Sequence, residues 1–211
     1  MKNYKLSDTL SNVLKSSVSR KGGEYIYEML KHYINEYTYI RKKRPEHKTN
    51  LASYIQNLVQ DRIDTKISEE KNEKVSCRNG CSFCCYLSVE ITNDEADLLI
   101  DYSKSNSISI DKEILEIQSN SKDFDNIEYQ QRKCVFLSDK GSCMAYEVRP
   151  NACRKLISVS EPKLCDTLNN NGAMVKRLID VEAEVIASST INATTSDRLS
   201  TMILNQLNIN K

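Results

Sequence analysis

The stretch 77-CRNGCSFCC-85 decides how this chain is read. It places Cys77, Cys81, Cys84 and Cys85 on one short loop, with Gly80 between the first two. Thiolates are soft ligands, and several on one loop suit zinc or an iron–sulfur cluster. Gly80 relaxes the backbone where the sulfurs must converge. Cys84 and Cys85 are adjacent, so their side chains are expected to diverge, and one of them then serves a second site or stays free. Outward from this loop lie Cys134, Cys143, Cys153 and Cys165, which complete the 8 cysteines of the chain. A fourth ligand for the first loop must come from that later group, with Cys134, Cys143 and Cys153 the leading candidates. Two four-thiolate sites would use all eight; one site with further structural or reactive thiols fits the count equally well.

The wider composition narrows the setting. A chain of 211 residues makes one compact domain, or one with a helical extension. Only 5 Gly and 3 Pro argue against an all-β fold, which needs many tight turns. A formal net charge of +1 creates no global field for nucleic acid or membrane. The N-terminus, MKNYKLSDTL, has charges where a secretory signal needs an apolar run, and no stretch approaches a membrane span. The expectation is a cytoplasmic protein whose thiols stay reduced, so the cysteines read as metal ligands or redox groups rather than a disulfide framework. The chain has 2 histidines, His32 and His47, both in the N-terminal part, so mixed Cys/His sites are not expected.

Periodicity predicts a mainly α fold with minor β: helical N-terminal and C-terminal flanks packed around a small cysteine-rich metal-binding core. Residues 1–70 form the helical N-terminal region, 71–170 the cysteine-cluster domain, and 171–211 the C-terminal helices packing on the same domain. A first helix is expected from Ser7 to Arg20, with Ser7 as N-cap and Gly22-Gly23 as the stop. A second runs from Glu24 to Arg44 with Ile26, Leu30, Tyr37 and Ile40 in register, and Pro45 ends it or opens the next. A third carries Leu51, Ile55, Val59 and Ile63. Residues 87–91 alternate as a short strand, and Thr92 with Glu95 reads as a capping box opening a helix to Lys104. A helix is expected over 111–118, a hairpin over 135–146, and a helical turn after Pro150 that holds Cys153 and Arg154. Two closing helices are expected over 173–188 and 195–208.

The blocks CRNGCSFCCYLSVEIT (77–92), CVFL (134–137), GSCMAYEVRPNACRK (141–155) and the late Cys165 resemble the YkgJ-type cysteine-cluster family, a family of zinc- or iron-chelating domains. The resemblance covers roughly residues 77–165 and all eight cysteines. It implies a bound metal or iron–sulfur cluster in a bacterial or archaeal cytosolic protein. Flagellin lysine-N-methylase looks like a larger relative with a similar cluster, which implies a protein-modifying enzyme as the second reading. A third reading is a thiol–disulfide redox protein using Cys81 and Cys84, although no βαβ context accompanies them. The C-x3-C-x2-C loop also resembles that of radical S-adenosylmethionine enzymes, but the strand–helix repetition of that fold is missing.

The expected cofactor is an iron–sulfur cluster in preference to zinc, held by Cys77, Cys81, Cys84, Cys85, Cys134, Cys143, Cys153 and Cys165. Arg149 and Arg154 flank Cys153; they read either as cofactor-binding groups that offset thiolate charge or as partners of Glu147. Tyr146 reads as a packed aromatic. The run Arg41-Lys42-Lys43-Arg44, with Lys48, reads first as a solvated helix end favoured by the dipole, and second as a contact for an acidic protein partner or nucleic acid. No catalytic residue is assigned.

Overall fold

The computed structural model describes residues 4–16, 20–43, 47–78, 80–170 and 172–209, and it is mainly α. Three N-terminal helices come first: α1 (Asp8–Ser16), α2 (Arg20–Lys43) and α3 (Lys48–Glu69). Ser7 caps α1 as expected, its hydroxyl accepting from the Leu10 N–H at 3.1 Å. Gly22 and Gly23 do not stop a helix; they lie inside α2. Two glycines cost a helix roughly 1 kcal/mol each. Burial of Ile26, Leu30 and Tyr37 along the same helix recovers about 1.5–3 kcal/mol per side chain, so packing overrides propensity. The expected end at Arg44 and the break at Pro45 lie outside the described residues.

The partner that buries those stripes is α7 (Val181–Ala193), far along the chain. It packs against α2 and α3 through Ala183 and Ile186, and against α1 and α2 through Val185. Its run Ala183–Thr190 is buried on all sides, and small Ala and Ser side chains let helices approach on both flanks. The helix expected from 173 begins at Val181, where Asp180 accepts from the Ala183 N–H at 2.8 Å. Just before it, β3 (Arg177–Leu178) pairs antiparallel with β2 (Ile157–Ser158).

The second half-core forms around α4 (Asn93–Ser105), α5 (Lys112–Asn120) and α8 (Leu199–Ile209). Ile91, Leu99, Leu115, Phe136 and Ile203 meet in it, and the segment 134–145 closes one side. Strand β1 (Glu90–Thr92) pairs antiparallel with β4 (Ser196–Arg198), which joins the starts of α4 and α8. The expected capping box is present: the Glu95 N–H donates to Thr92 Oγ1, and Glu95 Oε2 accepts from the Thr92 N–H at 2.9 Å. The expected hairpin is reduced to one bridge, Leu137 with Cys143, closed by a turn at Gly141 with φ +77°. Pro150 precedes one helical turn, α6 (Asn151–Arg154), as expected.

One buried clip joins the halves. Asp94, fully buried, accepts from the Tyr37 hydroxyl at 2.9 Å and pairs with Arg41 Nε at 2.9 Å. Arg41 is therefore not part of a solvated helix end; α2 places it one turn beyond Tyr37, over the same carboxylate.

Candidate metal centre

The cysteine segments enter one space from four directions. Cys77 lies in the extended chain after α3; Cys84 and Cys85 sit in the 3-10 turn Phe83–Tyr86; Cys143 is in the bridge and Cys134 lies three residues before its partner Leu137; Cys153 is in α6. These six and Cys81 line one cavity of about 300 Å³. Its other walls are largely apolar, with Leu87, Val89, Leu99, Phe124 and Phe136 among them. Cys165 is not among the lining residues; it ends the 3-10 turn Pro162–Cys165, within electrostatic reach of Cys77 and Cys81. All eight cysteines are free thiols. Gly80 has φ +87°, the left-handed region that the loop needs between Cys77 and Cys81. Its carbonyl oxygen lies 3.6 Å from where a Cβ of Gly141 would stand, so the loop tip rests on the hairpin turn.

Backbone N–H groups lie near four sulfurs. The Ser158 N–H donates to Cys77 Sγ at 3.2 Å. The backbone N–H groups of Phe83, Phe136 and Ala145 lie near enough to Cys81, Cys134 and Cys143 to lower them. Each of these influences favours the thiolate. Burial works the other way: it raises Cys77, Cys81 and Cys143, takes Cys134 up to about 12, and carries Cys153 well above the ordinary thiol range. Burial thus favours the neutral thiols, as in Cys77, whose Sγ donates to the Leu156 carbonyl at 3.8 Å, and a bound cation would favour the thiolates instead.

Cys84 and Cys85 share one 3-10 turn and act on each other, which lowers Cys84 to about 7 and raises Cys85. The thiols also sort by mutual influence. Cys77 and Cys81 interact with Cys165 and Cys84, whereas Cys85, Cys134 and Cys153 interact among themselves and with Cys84. Cys143 joins the second set through Cys134 and Cys153. Among the described residues, no three Cys, His, Asp or Glu side chains converge tightly enough to hold one metal ion. The sulfurs ring a space rather than a point.

Residues 76–174 match the family model CxxCxxCC, described as "Putative zinc- or iron-chelating domain". The matched segment is similar to that family and spans just under half of the chain. It spaces its first two cysteines by three residues, where the family's name has two. No curated protein and no solved structure matches the chain. No helix among the described residues is long and apolar enough to cross a membrane.

Arg149 and Arg154 stand beside the thiols of the matched segment without a hydrogen bond to sulfur among the described residues. Arg149 lines the cavity, and its guanidinium stacks over the Tyr146 ring at 3.9 Å. Tyr146 itself is 43% exposed rather than packed. Arg154 is buried and donates to the Arg149, Glu147, Gln60 and Gln56 oxygens; the contact with Glu147 is to its backbone carbonyl, not its carboxylate. Sequence reasoning missed the groups that seat α6. Glu95, beyond its cap, accepts from the Asn151 N–H at 2.8 Å, and Glu184 of α7 pairs with Lys155. The capping box announced Glu95; nothing in the local sequence marks Gln56, Gln60 or Glu184.

Proposed function

We propose that the chain is a metal-binding protein whose centre is held by cysteine thiolates, with an iron–sulfur cluster preferred to zinc. The observation that carries this reading is the set of seven cysteines lining one cavity, with the Ser158 N–H donating to Cys77 Sγ at its edge. Backbone donors of this kind tune metal-bound thiolates. The donor set fits either metal, since both take full thiolate ligation. The preference for a cluster rests on the loop that packs Cys77, Cys81, Cys84 and Cys85 into nine residues. Cys85, Cys134, Cys143 and Cys153 form the inner ligand group, and Cys77, Cys81 and Cys165 the outer one. Cys84 stands between them, so a second centre in the outer group would draw on it.

A thiol-exchange role has one supporting observation, the Cys84 sulfur held near 7 by Cys85. Anaerobic purification with metal and sulfide analysis separates the readings. Brown protein with iron and acid-labile sulfide is expected. Colourless protein with stoichiometric zinc refutes the cluster, and metal-free protein with a Cys84 that alkylates far faster than the other thiols favours exchange chemistry.

A further inference from the structure

We infer that Gln56 and Gln60 of α3 are positioning residues of this centre, holding two guanidinium groups that no carboxylate hydrogen-bonds where they balance the charge of its thiolates. Helix α3 lies outside the matched segment 76–174, so nothing in the family match assigns it a part. Gln60 Oε1 accepts from Arg149 Nη2 at 2.9 Å and from Arg154 Nη1 at 3.2 Å. Gln56 Oε1 accepts from Arg154 Nη2 at 3.4 Å, while Gln56 Nε2 donates to the Val148 carbonyl at 3.3 Å. One pair of amides therefore grips both arginines and the backbone between Cys143 and Cys153.

The chemistry of the acceptors matters. Every hydrogen-bond acceptor of Arg149 and Arg154 among the described residues is a neutral oxygen, from an amide or a backbone carbonyl. Arg154 is only 4% exposed. A buried guanidinium with no bonded anion is costly unless negative charge lies near. Glu95 is the buried carboxylate in its vicinity, but the Glu95 oxygens are engaged by Thr92 and Asn151. The remaining neighbours are the Glu147 carboxylate, which acts on Arg154 without a hydrogen bond to it, Cys153, next in sequence to Arg154, and Cys143, which feels Arg149. A divalent metal with four thiolates carries a net charge of about −2, and two held cations match it. Glutamine orients the guanidinium groups and leaves their charge for the sulfurs; glutamate at either position would orient them and cancel it.

The inference rests on the thiolate centre proposed above, and the test separates the two. The full chain, stripped of metal and reduced under anaerobic conditions, is titrated with cobalt(II) as probe, reading the thiolate-to-cobalt charge-transfer band. In Gln60→Glu, which keeps the acceptor oxygen shared by both guanidinium groups and replaces the amide that donates to Asp64 Oδ1, the apparent affinity is expected to weaken 10–100-fold, as for other groups behind metal ligands. The band is expected to move to longer wavelength, because a thiolate with less positive charge nearby gives up its electron more readily. Arg149→Gln is expected to shift both readouts the same way. Thermal unfolding of the metal-free variants reports whether the fold survives, and the band position does not depend on it. A wild-type affinity and band in Gln60→Glu overturn the inference, whatever Arg149→Gln does. A wild-type chain that shows no charge-transfer band overturns the thiolate centre, and the inference with it.

Discussion

Glu95→Gln tests how the helical frame reaches the cysteine loops. The Glu95 carboxylate is 4% exposed and has two jobs. Oε2 accepts from the Thr92 N–H at 2.9 Å and the Thr92 hydroxyl at 3.0 Å, and Oε1 accepts from the Asn151 N–H at 2.8 Å. An amide of the same shape has one acceptor oxygen, so either the cap of α4 or the first N–H of α6 meets an NH₂ group. One buried donor left without its acceptor costs about 1–3 kcal/mol. For a chain of this size that is a fall in Tm of roughly 2–12 °C. The pH dependence has a definite sign. Burial raises the Glu95 carboxyl above its ordinary 4.5, against the N–H bonds that lower it. A raised folded-state value means that Glu95 contributes most below 4.5 and loses part of that contribution as pH rises through the folded value. The wild-type advantage over Glu95→Gln should therefore be widest in acid and narrower at neutral pH. Thermal melts of both chains between pH 4 and pH 8, in the same metal state, measure the gap. Equal stability at every pH, or a gap that widens toward neutral pH, refutes the argument.

Further outcomes follow from the same geometry. Metal uptake should release protons and tighten as pH rises, because burial holds Cys134 near 12 and raises Cys77, Cys81 and Cys143, so a cation must displace their protons; uptake without measurable acid release would contradict thiolate ligation. Asp94→Ala removes the shared acceptor of Tyr37 and Arg41 and should cost about 3 kcal/mol, read by denaturant melts, while cobalt(II) still gives its charge-transfer band. Gly80→Ala forces a side chain into φ +87° and should cost about 1–2 kcal/mol, visible as weaker metal retention because the strain falls between Cys77 and Cys81.

The cysteine loop, the helical class and the Thr92–Glu95 cap were legible because each is written in a few neighbouring residues: thiol spacing, an i to i+3 apolar stripe, and a polar pair three apart. The Gly22-Gly23 stop failed because propensity is a weak local signal, and burial against α7 reverses it. The mutual influence of Cys84 and Cys85 was not legible, because it depends on the 3-10 turn that carries them both. Arg41 looked like part of a charge run, since its partner Asp94 stands far along the chain.

The amino-acid order alone therefore determined what kind of donor the site offers, soft thiols in two groups, and that helices would frame them. Only the tertiary structure decided which thiols share a space, that Cys165 stands outside the cavity, and that glutamines on α3 and carboxylates on α4 and α7 seat the Cys153 turn. The physical reason is that ligand chemistry belongs to a residue, whereas the field and the hydrogen bonds around it come from whatever segments the hydrophobic core brings alongside.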